Sequence, residues 1–258
     1  MKIALVFKSE KVDEKFVSNI KEQIVSRGHQ IVDANPEVVI FIGGDGTFLK
    51  AVHQFVDNLN NVKFIGLCTG HLGFFFDYAQ NDIELLLQDL EKQNYKAVDL
   101  HLLKAQVGKQ EFYAVNEIRI ESPFHSLISE VYVNDEYLET FRGNGLVVCS
   151  SIGSTAYNKS LSGAVVSPTV ETLQLSEIAP INNVIYSSLH SSLVLDKNSK
   201  ITLKTKTDNI LIGYDQLVSD SHPACSVEFS LSDKKVSLLF KSDYSYIKLL
   251  NSKFIGKK

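Results

Sequence analysis

The first ninety residues alternate short apolar strands with amphipathic helices, and that rhythm restricts the fold more than any other feature of the chain. Lys2–Phe7 is short, apolar and partly β-branched, which predicts a buried strand. Over residues 13–27 the side chains of Phe16, Val17, Ile20, Ile24 and Val25 recur at helical spacing until Gly28 ends the run. A weak strand follows at 29–32 and a strong one at 38–42, then a helix at 47–56, a strand at 62–67 and a helix at 82–90. Strands linked through helices in this order lie parallel, with the helices packed on the faces of the sheet.

Near residue 95 the pattern changes. Residues 95–106, 111–120, 129–133, 146–150, 192–195, 200–203, 210–214, 225–231 and 236–240 read as strands separated by turns, with one helical stretch around 169–177. The fold class expected is an α/β N-terminal domain with a parallel sheet, then a mainly antiparallel, sandwich-like β domain. The boundaries expected are 1–97, 98–243 and a closing segment 244–258. That segment carries Tyr244, Tyr246, Ile247, Leu249, Leu250, Phe254 and Ile255 among lysines, too apolar for a free tail, and is expected to pack back on the first domain.

Bulk properties exclude some functions. A net charge of −4 argues against a dedicated nucleic-acid binder, which needs a basic excess. With 44% hydrophobic and 22% charged residues the chain is an ordinary globular one. Cys68, Cys149 and Cys225 form no C-x-x-C pair, so they predict buried thiols and neither zinc nor a disulfide framework. No apolar run is long enough to span a bilayer, and a cytoplasmic protein without membrane or nucleic-acid partners is expected.

The chemistry begins at Gly43-Gly44-Asp45-Gly46-Thr47, between a strand and a helix. Gly43, Gly44 and Gly46 allow close backbone approach and positive φ, and the N–H groups opening the next helix attract an anion. Thr47 adds a hydroxyl. The segment has neither the lysine of a Walker loop nor the G-x-G-x-x-G spacing. A carboxylate at Asp45 is repelled by a bound phosphate, so its presence there points to chemistry. It can accept a proton from a hydroxyl nucleophile or face a magnesium ion. The bland alternative is a helix cap. Further on lie Asn116-Glu117 after a strand, the turn Phe141-Arg142-Gly143-Asn144-Gly145, and Gly153-Ser154-Thr155-Ala156-Tyr157-Asn158 leading into a short helix. His53 reads as a helix-surface residue, and His71 sits in the glycine-rich segment Thr69-Gly70-His71-Leu72-Gly73-Phe74, near the expected cleft.

These motifs, in this order and with Asp215-Gln216 near the end, resemble the NAD kinases, which phosphorylate the 2′-hydroxyl of the adenosine ribose of NAD. The resemblance implies that Asp45 is the catalytic base and that Gly46 contacts the ribose. It implies that Phe74 walls the adenine and that Asn116 and Glu117 bind the adenosine portion. Thr155, Ala156, Tyr157, Asn158, Ser160, Ala179 and Gln216 would line the substrate pocket, with Arg142 and Asn144 toward the nicotinamide. Gly43, Gly44, Gly46 and Thr47 would hold phosphate. The cofactor implied is Mg2+, or another divalent metal, entering with ATP, with no metal site of the protein's own. The substrates implied are NAD and ATP (or another nucleotide or polyphosphate), in a homodimer or homotetramer. Two departures stand out: Asn144 occupies a position commonly Asp, and Ser150-Ser151-Ile152 replaces the usual proline-containing lead-in to Gly153. A lipid or sphingoid-base kinase shares the glycine loop but lacks Gly-Ser-Thr-Ala-Tyr. A non-catalytic NAD-binding sensor is the other alternative.

Overall fold

The computed structural model describes residues 1–10, 12–70, 73–184 and 187–256. The chain divides into two compact units, one of residues 1–99 and 234–258, the other of residues 100–233.

The first unit opens with β1 (Lys2–Phe7), α1 (Glu14–Ser26), β2 (Gln30–Ile31), β3 (Val38–Gly43), α2 (Asp45–Gln54), β4 (Lys63–Cys68), β5 (Tyr78–Ala79) and α3 (Ile83–Lys92). Its sheet runs β2–β1–β3–β4, every pair parallel, with β5 parallel on the end of β4. Val38, Val39, Ile40, Phe41 and Ile42 are all buried, the unbroken apolar run of a strand covered on both faces. On one face Ile20 and Ile24 of α1 and Leu86, Leu87 and Leu90 of α3 pack with Ile3, Ile40, Ile42, Ile65 and Leu67. The side chain of Asp13 caps α1 by accepting the Lys15 N–H at 2.9 Å. The other face holds the rings of Phe41, Phe48, Phe64 and Phe76 in edge and tilted contacts. A Cβ at Gly66 would lie 2.5 Å from the Phe41 ring and 2.6 Å from that of Phe76, so this aromatic layer requires glycine on β4.

The second unit is β-rich: β6 (Tyr95–Val107), β7 (Gln110–Ala114), β8 (Glu117–Glu121), β9 (Leu127–Val133), β10 (Glu136–Gly143), β11 (Gly145–Ser150), the short α4 (Tyr157–Ser160), β12 (Thr172–Ile178), β13 (Leu193–Asp196), β14 (Ile201–Thr205), β15 (Leu211–Tyr214) and β16 (Leu217–Val218). One sheet runs β13–β12–β11–β8–β15–β16, antiparallel throughout. Ile118, Ile120, Leu146, Val148, Leu173, Leu175 and Ile212 of that sheet share one core with Leu127, Val131, Phe141, Ile201 and Leu203 of β9, β10 and β14, which makes the unit a sandwich.

Three expectations need correction. Residues 169–177 are not helical: β12 pairs with β11 over six residues, and Leu173 and Leu175 alternate with Gln174 and Ser176 as a strand requires. The apparent strand 111–120 is two strands, β7 and β8, broken at Val115-Asn116. Segments 225–231 and 236–240 belong to one strand, β17 (Ser226–Lys241). Its first part pairs antiparallel with β14, whereas Ser237, Leu238 and Leu239 pair parallel with β4, so the second unit ends at 233 and not at 243. After it come α5 (Tyr246–Leu250) and a π-helical turn, Asn251–Ile255, both in the first unit. Among the described residues no helix is long and apolar enough to cross a membrane. Cys68 and Cys149 are buried and Cys225 half-buried, and none of the three forms a disulfide.

Candidate active site

Two clusters carry the residues singled out by the sequence, one in each unit. In the first, β3 delivers the chain into a tight turn at Gly43, whose φ of +147° suits glycine. A Cβ there would lie 2.5 Å from Thr47 Oγ1, so space demands glycine as well. Gly44 differs from expectation: its backbone is extended (φ −125°, ψ −177°) and nothing surrounds its missing Cβ. The open side at Gly44 is free for a ligand's approach.

Gly44 is also the N-cap, so α2 begins at Asp45 rather than at Thr47, and Asp45 does not cap it. Its carboxylate instead accepts the Phe74 N–H on Oδ2 at 3.1 Å and the Phe75 N–H on Oδ1 at 3.3 Å. Gly73 lets that happen, because a Cβ at position 73 would overlap the Asp45 carboxylate. Burial pushes the Asp45 carboxyl above its ordinary range, opposed by the two N–H groups and by the positive charge of Lys253. Gly46 follows Asp45 in the first turn, and Thr47, whose N–H bonds the Gly44 carbonyl at 2.7 Å, is buried. Gly43, Gly44 and Thr47 line a cavity of about 140 Å3 with Lys8, Thr69 and Gly70. Lys8 is a cation beside a glycine loop that the sequence reading passed over; it lies well before the motif and fits no loop signature. His71 and Leu72 lie outside the described residues.

In the second unit the break between β7 and β8 is held by Asp215. Its Oδ2 accepts the Val115 N–H at 2.9 Å and its Oδ1 the Asn116 N–H at 2.7 Å. Asp215 itself takes φ +51° after β15, the left-handed region that Asp tolerates better than most residues. The break turns Glu117 onto the sheet face away from the core, where it is 6% exposed. The Tyr157 N–H donates to Glu117, while its Oε2 has no partner among the described residues. Burial first, and then the nearby Asp215 charge, raises the Glu117 carboxyl to about 7, against the Tyr157 N–H and Arg119. Tyr157 is brought here because Gly153 packs directly on the Asn116 backbone, where a Cβ has no room. Arg119, two residues along β8 from Glu117, has its guanidinium 5.9 Å from the Tyr157 ring centre.

The remaining expected residues separate by position. Thr155 and Ala156 are half-buried beside Gly153, with the Ala156 N–H bonded to the Gly153 carbonyl at 3.0 Å. Ser160 is exposed at the end of α4. Asn158 is fully buried: its Oδ1 accepts the Ser176 hydroxyl at 2.5 Å and Gly163 packs on its amide, so it anchors α4 to β12 and presents no open surface. Arg142, Asn144 and Ala179 meet at the β10–β11 junction, where the Asn144 N–H bonds the Ile178 carbonyl at 3.0 Å. A Cβ at Gly143 would lie 2.8 Å from the Ala179 carbonyl. Gln216 is exposed after Asp215.

The sequence matches two family profiles in tandem, the ATP-NAD kinase N-terminal domain over residues 3–95 and the ATP-NAD kinase C-terminal domain over residues 115–240. The chain belongs to the NAD kinase family. It is 33% identical to NAD kinase 1 of Bacillus anthracis over the full length of both chains. It is 36% identical to the NAD kinase of Leuconostoc citreum, covering 92% of this chain and 91% of that one. Solved structures show the same fold: an NAD kinase from Archaeoglobus fulgidus in complex with ATP has a TM-score of 0.80 at 21% identity, covering 98% of each chain. Yeast NADH kinase complexed with NADH has a TM-score of 0.84 at 17% identity, covering 100% of this chain and 89% of that one. This member of the family is an enzyme that phosphorylates NAD to NADP, and neither the lipid-kinase nor the sensor alternative gains support.

Proposed function

We propose that Asp45 is the base for the 2′-hydroxyl of the adenosine ribose and that ATP is the phosphoryl source. The observation that carries this is the Asp45 carboxylate itself: in the first turn of a glycine-led helix, it is held by two loop N–H groups and caps no helix. A carboxylate fixed in this way can take the hydroxyl proton as the oxygen attacks the terminal phosphorus. Phosphoryl transfer has a loose transition state, so fixing the nucleophile and neutralising charge matter more than strong basicity.

Gly43, Gly44 and Thr47, with Lys8, form the wall for the donor phosphates, Gly46 adds a phosphate contact from the first turn of α2, and the start of α2 supplies the favourable end of the helix dipole. Among the described residues no group of three or more His, Cys, Asp or Glu could hold a metal. A divalent ion entering with ATP would keep the phosphates as its main ligands, and the chemistry it would supply is neutralisation of the triphosphate. Glu117 accepts ribose hydroxyls on its unpartnered Oε2, Asn116 and the segment Thr155, Ala156 and Tyr157 hold the adenosine portion, and Phe74 walls the adenine. Arg142, Asn144, Ala179 and Gln216 serve the nicotinamide half and the rim, with Ser160 beside them. Asn144 keeps an acceptor where the family commonly has a charge, and adds a donor. Work in the cytoplasm as a homodimer or homotetramer is part of the proposal, supported by the sheet edges at β10, β13 and β16.

Asp45→Asn tests the assignment. Turnover of NAD and ATP to NADP should fall about 10^2–10^4-fold, the usual worth of a positioned base, while NAD affinity measured by calorimetry stays close to that of the parent. Near-parental turnover would remove Asp45 from the role.

A further inference from the structure

Three phenylalanines follow Gly73, and they are seated differently. Phe75 and Phe76 are buried, with ring centres 4.3 Å from Phe48 and 4.9 Å from Phe41. These two anchor in the core the backbone that holds Asp45. Phe74 is half-buried, and its ring meets that of Phe254 in the same unit, 5.5 Å away and tilted by 38°. At that spacing aromatic pairs attract beyond the area they bury.

Phe254 comes from the π turn Asn251–Ile255 that follows α5. The Gly256 N–H on the Asn251 carbonyl at 2.6 Å and the Ser252 hydroxyl on the Leu249 carbonyl at 2.8 Å close the turn. Such turns are rare and recur at functional positions. The tail has other anchors: Ser245 caps α5, Leu249 is buried, and Tyr244 stacks on Phe240 with ring centres 3.9 Å apart. Phe254 itself stays 43% exposed. A ring lying partly in solvent and partly on Phe74 forms a surface rather than filling a core. The matched family profiles end at residue 240 and do not reach it.

We propose that Phe254 is a positioning residue for the adenine of NAD: its ring seats Phe74, so that the wall the base meets is set by the tail as well as by the loop beside Asp45. The inference rests on Phe74 walling the adenine. A half-buried side chain samples rotamers, and a base stacking on it must overcome the entropy of fixing it. Phe254 fixes the ring before the base arrives. Because Phe75 and Phe76 anchor the backbone around Asp45, losing Phe254 weakens NAD binding and leaves the chemical step nearly intact.

Steady-state kinetics separate this role from a merely structural one. Phe254→Ala should raise KM for NAD about 2–10-fold, the worth of one aromatic pair, with kcat and KM for ATP within about twofold of the parent, and Phe254→Tyr should restore it. The chain has no tryptophan, so Phe254→Trp places a lone indole at the same point. Its emission should change on titration with NAD and stay constant with nicotinamide mononucleotide, which lacks adenine. In Phe74→Ala, NAD affinity measured by calorimetry should fall, and adding Phe254→Ala should weaken it little further, because the two rings act together. An unchanged KM for NAD in folded Phe254→Ala, equal losses for NAD and ATP, additive effects of the two substitutions, or an indole blind to NAD overturns the proposal. If Phe74→Ala binds NAD as the parent does, the Phe74 assignment itself has failed, and the inference falls with it.

Discussion

At position 73 an added methyl group meets the Asp45 carboxylate, so Gly73→Ala has to shift either the loop or that carboxylate. Overpacking of this kind costs about 1–3 kcal/mol. Turnover should suffer more than stability, because the displaced group is Asp45; steady-state rates beside thermal melts will show the ratio. Asp45 stands out in the sequence because a charged residue among glycines after a strand is chemically odd. The reason for Gly73 does not, since it lies in the position of a side chain far back in the chain. Glu117 carries a second residue-scale expectation. Its carboxyl is raised to about 7, and the ribose hydroxyls proposed to bind there would donate to the ionised form. Affinity for NAD should therefore tighten as pH rises toward 7 and level off above it, changing by about tenfold per unit on the acid side. Calorimetry at pH 6 in two buffers of different ionisation enthalpy should detect the released proton, and Glu117→Gln should abolish both effects.

Among the elements, the break between β7 and β8 sets the second cluster, and one side chain maintains it. Asp215→Ala leaves the buried N–H of Val115 and the half-buried N–H of Asn116 without their acceptor. The cost is about 1–3 kcal/mol for a buried donor, so urea unfolding should show a lower midpoint, and NAD affinity should fall because Glu117 loses its place. Residues 111–120 read as one strand because apolar residues lie on both sides of Asn116-Glu117; the kink comes from a carboxylate far along the chain, at Asp215. Segment 169–177 failed for the opposite reason. Its few apolar residues fit a helical period loosely, and only the partner β11 decides for a strand. The parallel sheet was readable where no such partner was needed, as in β3, whose run of five buried apolar residues leaves little choice.

For the molecule as a whole, the two glutamates raised furthest bear on pH dependence. Glu139 is buried, accepts the Leu189 N–H at 2.7 Å and shares a hydrogen bond with Glu177; its carboxyl, like that of Glu117, is raised to about 7, mainly by burial. An acid whose folded value exceeds its ordinary one of 4.5 stabilises the fold below that ordinary value and loses the contribution as pH rises toward 7. Thermal stability should decline from about pH 5 to pH 7 on account of these groups, by roughly 1–3 kcal/mol each. Glu139→Gln should flatten its share, read from melting temperatures across that range. The division into two units was legible as a change of rhythm near residue 95. Its closing boundary was not, because β17 gives no sign in its own sequence of changing partners along its length. That change of partners bears on how the protein is made. A ribosome releases residues 1–99 long before Ser237, Leu238 and Leu239, so part of the edge of β4 waits for its strand while the second unit is synthesised. The first unit to emerge is thus completed only after the second, once residues 237–239 have followed it.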